Sequence, residues 1–187
     1  MENTVLQQEQ LTVYLQRQQH ISEEEALWHL LRMQLNCYLI QELPPLELVT
    51  SVRCIVFQEE QVLVVKNPFN VHIQPGGRRE QGESLEESLR RELLEETGWE
   101  IQQPSLLGVK HFHHITPRPE NYQHPYPDFL QLVYCARATL YRPEAKEVDG
   151  FELGADFLPV AEVKQLTLTA NERIFLETAL QTLGICD

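Results

Sequence analysis

A run rich in glycine, arginine and glutamate occupies residues 76–99 and reads GGRREQGESLEESLRRELLEETGW. Its later part places Glu92, Glu95 and Glu96 at i, i+3 and i+4 spacing, which brings three carboxylates onto one face of a helix. Each exposed pair of like charges costs about 0.2–0.5 kcal/mol, and burial raises that cost. A hard divalent cation with oxygen ligands would turn this repulsion into binding, so the face predicts a site for such a cation.

The residues around the three glutamates indicate how they are positioned. Ser84 and Glu87 fit a capping box, so the helix is expected to begin near Ser84, and Gly98 is placed to end it in the left-handed region. Leucines spaced by four residues form the expected core-facing stripe: Leu85, Leu89 and Leu93. Arg91 precedes Glu95 by four residues and can orient it through an ion pair.

Gly76 and Gly77 stand directly before this helix. Glycine lets the backbone approach a ligand closely and leaves its carbonyl oxygen open to a metal. The arginines Arg53, Arg78 and Arg79 are candidates for binding phosphate oxygens.

From Gly77 to Trp99 the segment matches the Nudix box, G-x5-E-x7-R-E-U-x-E-E-x-G-U with U apolar, at every specified position. By this motif the chain resembles the Nudix hydrolases. The resemblance implies an α/β fold, an α/β/α sandwich with a mixed sheet, in which the box forms a loop, a helix and a loop. It also implies a metal-dependent enzyme that cleaves the diphosphate bond of a nucleoside di- or triphosphate-linked substrate by attack of water on phosphorus.

The resemblance further implies roles for individual residues. The carbonyl of Gly76 and the carboxylates of Glu92, Glu95 and Glu96 would hold Mg²⁺ or Mn²⁺, with Glu92 acting either as a ligand or as the base that activates water. Glu83 would support the outer shell of the metal site.

Many family members add a glutamate from a late loop, as base or ligand. Four acidic residues are candidates for this role: Glu144, Glu147, Asp149 and Glu152. Glu152 is slightly preferred because it lies five residues before Phe157, in a stretch that resembles the family's aromatic and apolar segment.

Two weaker patterns concern substrate binding. Asn171 resembles a purine-reading asparagine of the mutator-preventing nucleotide triphosphatases, but the alternative, helix capping by Thr169 and Glu172, is favoured. His111 and His113 share a strand face and suggest zinc, yet no cysteine or third ligand is evident to complete a site. A contact of His113 with a base or phosphate is therefore preferred to zinc, and an ordinary surface histidine to either.

Composition limits the classes of partner. The chain carries 28 acidic and 15 basic residues, a formal charge of −13, which opposes binding to nucleic acids and to anionic membranes but not to a small phosphorylated substrate held with a cation. No apolar run approaches the roughly 20 residues that span a bilayer, and the start does not resemble a signal peptide. The four cysteines form no C-x-x-C pair, and Cys37 and Cys54 lie in apolar runs typical of buried thiols. A cytoplasmic location follows as the expectation.

The pattern along the chain predicts two regions. Residues 1–45 are expected to form an N-terminal helical hairpin, with the second helix starting at Ser22 and ending before Pro44, which covers the catalytic domain or forms a homodimer contact. Residues 46–187 are expected to form the hydrolase domain. Its predicted strands are 49–57, 62–65, 71–73, 105–114 and 129–140, with helices at 84–97, 160–166 and 170–183 and a proline-rich loop at 116–128.

Two alternatives remain at this point. One is a nucleotide-sensing Nudix-like domain without turnover, although such domains usually lose box glutamates and this chain retains all four. The other is a diphosphate isomerase on the same fold, which needs a catalytic cysteine, for which Cys54 and Cys135 are present without a supporting motif.

Overall fold

The computed structural model describes residues 2–28, 30–122, 125–147 and 153–185. Along these ranges the elements are α1 (Glu2–Leu15), β1 (Gln19–Trp28), β2 (Leu31–Leu39), β3 (Val49–Gln58), β4 (Gln61–Lys66), β5 (Val71–His72), α2 (Leu85–Thr97), β6 (Trp99–His114), β7 (Asp128–Tyr141), β8 (Gly154–Pro159), α3 (Val160–Val163) and α4 (Ala170–Leu183). Short 3-10 turns occupy Leu46–Leu48 and Pro143–Ala145.

The strands form one mixed sheet in the order β1-β2-β6-β7-β3-β4-β5, and β8 pairs with β4. The pair β3–β7 is parallel, and every other pair within the sheet is antiparallel. Helices cover both faces, because the apolar residues of the strands alternate between two separate cores. The predicted mixed sheet between helices is confirmed.

The two cores define two faces that are used throughout the description of the site. The α4 face includes Phe57, Val133 and Phe175, together with α3. The α2 face includes Val56, Leu130 and the buried leucines of α2, and α1 packs there through Leu11 and Leu15.

The predicted N-terminal helical hairpin is wrong in its second half. Strands β1 and β2 form a β-hairpin in which Met33, Leu35 and Cys37 are buried. These buried residues alternate with more exposed ones, and β2 pairs along its length with β6. The backbone partners offered by β6 outweigh the local helix signal at Ser22. The N-terminal extension is thus one helix and two strands that lengthen the main sheet.

The second difference is β8, which the sequence pattern did not predict. Its residues alternate imperfectly and end at a proline, so the period-2 signal is weak. Pairing of Leu63 with Phe157 and of its neighbours along β4 places this strand in the sheet. Within the described ranges, no helix is long and apolar enough to cross a bilayer.

Candidate active site

Helix α2 begins and ends where its capping residues predict. Glu87 N–H donates to Ser84 Oγ at 3.2 Å and Ser84 N–H donates to Glu87 Oε2 at 2.8 Å, which completes the capping box. Gly98 has φ of 76° and its N–H closes the last turn. Leu89 and Leu93 are fully buried on the α2 face of the sheet. Burial of this stripe turns the opposite, acidic side of the helix outward.

Four glutamates of the box, Glu83, Glu92, Glu95 and Glu96, form the acidic cluster, and Arg91 lies among them. Its Nε and Nη2 donate to the two oxygens of Glu83 at 2.7 and 3.0 Å. Its Nη1 donates to Glu92 Oε1 and to Glu95 Oε2, both at 2.9 Å, and Nη2 also donates to the Arg78 carbonyl at 3.0 Å. The predicted ion pair with Glu95 is therefore present, and one guanidinium fixes three carboxylates with bonds of the charge-assisted kind.

The carboxylates differ in their protonation behaviour. Hydrogen bonds from Arg91 and Ser88 lower the pKa of Glu83 to about 2. Burial raises the pKa of Glu92 above its ordinary value, and the hydrogen bond from Arg91 only partly offsets that effect. Glu83 is thus a permanent anion that anchors Arg91, whereas Glu92 accepts a proton more readily.

The loop before α2 requires its two glycines. Gly76 has φ of 130°, and a Cβ there would lie 2.4 Å from the carbonyl oxygen of Val52. A Cβ on Gly77 would lie 2.0 Å from Glu92 Oε2. The close approach lets the Gly76 N–H donate to Glu96 Oε2 at 2.6 Å, so backbone and helix meet at the acidic cluster.

Arg53, on β3, closes the other side of this loop. Its Nη1 donates to the Gly76 carbonyl oxygen in a short hydrogen bond and lies 4.0 Å from Glu96 Oε1. A guanidinium therefore provides the positive charge beside two groups that are expected to be metal ligands.

A polar cavity of about 540 Å³ opens beside these groups. Twelve residues line it: Arg53, Asn67, Asn70, His72, Gln74, Glu92, Glu95, Glu96, Lys110, Gln131, Glu147 and Glu172. The three box glutamates thus face amide and cationic side chains across one space.

Several of these lining residues were not singled out from the sequence. Lys110 Nζ donates to Gln74 Oε1 at 2.6 Å, and burial lowers the pKa of Lys110. Gln131 Nε2 donates to Ser51 Oγ at 3.0 Å. No local signal marked Lys110, because β6 carries several other polar residues; only the pairing of β6 with β7 places Lys110 directly beside Gln131.

His72 also borders the cavity. Burial, helped by the positive charge of Arg53, lowers the pKa of His72 to about 4. Its imidazole is therefore neutral at pH 7 and can act as a hydrogen-bond donor or acceptor.

The donor set of the acidic cluster suits a hard divalent cation. Three carboxylates border one cavity, and the Gly76 carbonyl adjoins Glu96. Ligands that are all oxygen, with most of their charge from carboxylates, are those that Mg²⁺ and Mn²⁺ prefer.

A second, apolar cavity of about 360 Å³ adjoins the first, and Arg53 and Gln131 line both. Phe112 and Phe129 stack in it with centroids 4.7 Å apart and planes 3° from parallel. The β-hairpin of β1 and β2 contributes three side chains to the wall of this apolar cavity: Ala26, Leu27 and Met33.

The structure brings some, but not all, of the other candidates to these cavities. Arg78 lines the apolar cavity. Glu83 lines neither cavity, and both of its carboxylate oxygens accept hydrogen bonds from Arg91. Glu147 lines the polar cavity, and its N–H donates to the Glu95 carbonyl at 2.9 Å. Glu152, the preferred late acid, lies outside the described residues.

Asn171 and His113 line neither cavity. Asn171 is buried, with Nδ2 donating to Glu24 at 2.8 Å, and the predicted capping box between Thr169 and Glu172 is present. His113 lies on the α2 face of the sheet, away from the polar cavity, with Nδ1 2.8 Å from Asp128 Oδ1.

Comparison with known proteins gives one family. The model of the NUDIX domain matches residues 47–179. A Bacillus subtilis (strain 168) protein described as "Uncharacterized Nudix hydrolase YvcI" is 40% identical over 57 residues, which are 30% of this chain and 36% of the relative, so the match spans little more than a third of that relative's length.

Solved structures share the fold at low identity. A NUDIX hydrolase from Nitrosomonas europaea aligns with a TM-score of 0.55 and 22% identity over 74% of this chain and 96% of its own. A mutant of the Bacillus subtilis pyrophosphohydrolase BsRppH aligns with a TM-score of 0.57 and 19% identity over 86% of this chain and 97% of its own. The NUDIX domain of Shewanella oneidensis NrtR, complexed with ADP ribose, aligns with a TM-score of 0.52 and 20% identity over 72% of this chain and 88% of its own. With the box helix and its acidic face in the geometry described above, the chain belongs to the NUDIX domain family.

Proposed function

We propose that the protein is a metal-dependent pyrophosphohydrolase of a nucleoside diphosphate-linked substrate. The observation that carries the proposal is the single cavity in which Glu92, Glu95 and Glu96 face Arg53 and Lys110. Carboxylates on one side suit cations, and cationic side chains on the other side suit phosphate oxygens. A diphosphate bound with its metals needs both.

Glu95, Glu96 and the Gly76 carbonyl would hold Mg²⁺ or Mn²⁺, and Glu92 would serve either as a further ligand or as the base. When bound, such ions neutralise phosphate charge and activate water for attack on phosphorus. Because Arg53 donates a hydrogen bond to the Gly76 carbonyl, its guanidinium lies beside the proposed metal site and would bind the phosphate oxygens there.

Three residues of the chain would have separate roles in the reaction. Arg91 keeps Glu92 and Glu95 in fixed rotamers. Glu92, whose pKa is raised by burial, is suited to take a proton from the attacking water, since a base works best with a pKa near the working pH. Lys110 would stabilise negative charge on the phosphate oxygens.

Glu147 is our candidate for the late glutamate, because it lines the polar cavity and Glu144 does not. Replacing Glu147 with Gln should lower kcat by about 10²- to 10⁴-fold if it acts as the base. Glu144→Gln, in the same loop, is the control and should change kcat less than two-fold.

The apolar cavity is the proposed site of the nucleobase. Its aromatic and aliphatic lining offers stacking and apolar burial, and it meets the polar cavity at Arg53 and Gln131. In this arrangement residues 46–187 form the hydrolase domain and residues 1–45 an extension that supplies one wall of the base site.

The two alternatives are less well supported. A sensor without turnover has no need for the four box glutamates and the arginine that orients three of them. An isomerase needs an accessible thiol, but Cys54 and Cys135 are fully buried, and burial raises the pKa of Cys135 to about 11 and that of Cys54 well above its ordinary value.

The test is a panel of nucleoside triphosphates, ADP-ribose, NADH, nucleotide sugars and dinucleoside polyphosphates, with Mg²⁺ or Mn²⁺ and chromatographic detection of products. We expect one class to be hydrolysed in a metal-dependent way. Glu96→Gln should abolish most of that activity with little change in Tm, and Glu86→Gln, on the exposed side of the same helix, should retain it. Normal turnover by Glu96→Gln would refute the proposal, and tight binding without turnover by the unaltered protein would favour the sensor.

A further inference from the structure

Three potential metal ligands converge on the α2 face of the sheet, away from the polar cavity. His111 and His113 lie two residues apart on β6, and Asp128 pairs with His113 across β7. Among the described residues, this is the group of histidine and carboxylate side chains whose ligand atoms all lie within 4.8 Å of one another. From the sequence, Asp128 was not recognised as the third ligand because a proline-rich loop separates it from the histidines.

The geometry is close to that of a metal site. His111 Nε2 and His113 Nδ1 lie 2.7 and 2.8 Å from Asp128 Oδ1. Two ligands about 2.0–2.1 Å from a tetrahedral zinc ion are roughly 3.4 Å apart, so these atoms would need to separate by only about 0.6 Å. Rotation of the side chains can supply that shift while the paired strands stay fixed.

The surroundings favour occupation by a cation. Asp128 and His111 are largely buried, with 9% and 12% of their side chains exposed. A carboxylate in so poorly hydrated a place attracts a divalent ion more strongly than it would in water.

A fourth side chain supports the arrangement from α1. Gln8 Nε2 donates to Asp128 Oδ2 at 3.5 Å. Such an outer contact orients a ligating carboxylate in metal sites. It also means that an ion bound to β6 and β7 would be linked to the N-terminal helix.

We propose that His111, His113 and Asp128 form a second metal site, separate from the acidic cluster, that binds a transition metal such as Zn²⁺. Two imidazoles and one carboxylate suit Zn²⁺ and its neighbours better than Mg²⁺, which prefers oxygen. The site fastens β6 to β7 on the α2 face. On the α4 face, the same strands present Lys110 and Gln131 to the polar cavity. The second ion would therefore hold β6 and β7 together on the face opposite the polar cavity, and it would take no part in the chemical step.

The experiment uses the full chain in excess Mg²⁺, which occupies the oxygen ligands of the acidic cluster. Bound zinc is measured after dialysis against a zinc buffer, and Co²⁺ is added to a metal-free sample to record its visible absorption. We expect one zinc per chain, with water as the fourth ligand, and an intense Co²⁺ band, as four-coordinate sites give. We also expect a rise in Tm of about 5–10 °C at a zinc concentration 100 times Kd.

Variants assign the ion to its ligands. His111→Ala and His113→Gln should each lose the Co²⁺ band and the zinc-dependent rise in Tm. His113 is half exposed, so the second variant is expected to fold even if the first does not. His20→Ala, which changes a histidine on β1, is the matched control and should keep both signals. A weak Co²⁺ spectrum in the unaltered protein, or equal zinc binding by the variants and the control, would overturn the proposal.

Discussion

Replacement of Arg91 by lysine tests whether one guanidinium organises the acidic face. Arg91 makes five hydrogen bonds, four of them to carboxylate oxygens of Glu83, Glu92 and Glu95. An ammonium group has three donors on one atom and cannot span the same set, so at least two bonds are lost.

The magnitude follows from those two bonds. A buried hydrogen bond to a charged group contributes about 1.5–3 kcal/mol, but the Arg91 side chain is 24% exposed, which reduces each to about 1 kcal/mol. The loss of orientation at Glu92 and Glu95 thus amounts to about 2 kcal/mol, or roughly 30-fold in the affinity for Mg²⁺. This lies within the 10- to 100-fold range typical of residues that orient metal ligands.

The assay measures hydrolysis of the best substrate against Mg²⁺ concentration for Arg91→Lys and for Arg90→Lys. Arg90 is the matched control, because it lies on the exposed side of the same helix and pairs with Glu86. We expect the Mg²⁺ concentration for half-maximal rate to rise about 30-fold in Arg91→Lys and less than two-fold in Arg90→Lys. An unchanged Mg²⁺ dependence in a folded Arg91→Lys protein would refute the reasoning.

Three further predictions follow from the structure. Gly77→Ala places a methyl group 2.0 Å from Glu92 Oε2, so we expect at least a ten-fold loss of kcat/KM with a native circular dichroism spectrum, and full activity would contradict the close approach. His72 titrates at about 4 when folded and at its ordinary 6.5 when unfolded, so the unfolded state binds more protons between these values and stability falls as pH falls through that window. The free energy of unfolding falls by at most about 3 kcal/mol over this window. Urea unfolding at pH 7 and pH 5 should show a smaller loss of stability in His72→Gln than in the unaltered protein, and equal losses would contradict the lowered pKa of His72. Finally, a protein reduced to residues 46–187 leaves the β2-facing edge of β6 unpaired and exposes the surface covered by Met33 and Cys37, so we expect it to aggregate or to unfold without cooperativity. A cooperative transition would show that the extension is dispensable.

The parts of the fold that sequence predicted are those set by local chemistry. The helix from Leu85 to Thr97 is bounded by a capping box and a left-handed glycine, both within a few residues of its ends. The ion pair between Arg91 and Glu95 follows from their i, i+4 spacing, which is fixed once the helix forms. Local rules were sufficient for this pair, but not for the contacts of Arg91 with Glu83 and with the Arg78 carbonyl, which lie before the helix.

The parts that sequence did not predict depend on distant partners. Ser22 and Glu25 fit a capping box, yet residues 19–28 form a strand because β2 and β6 offer a continuous ladder of hydrogen bonds. Lys110 looks like an ordinary strand residue until Gln74 and Glu92 are placed opposite it by the fold. Nothing near Lys110 in the chain reports that arrangement.

The hydrogen bond from Arg53 to the Gly76 carbonyl joins β3 to the loop before α2 and places a cation beside the acidic cluster. With Arg53 and Arg91 beside them, the clustered glutamates carry their own counter-ions as soon as the sheet and α2 come together. Under the proposed function, these guanidinium groups would hold the glutamates in place before an ion binds. Withdrawal of Mg²⁺ would then stop hydrolysis without unfolding the acidic cluster.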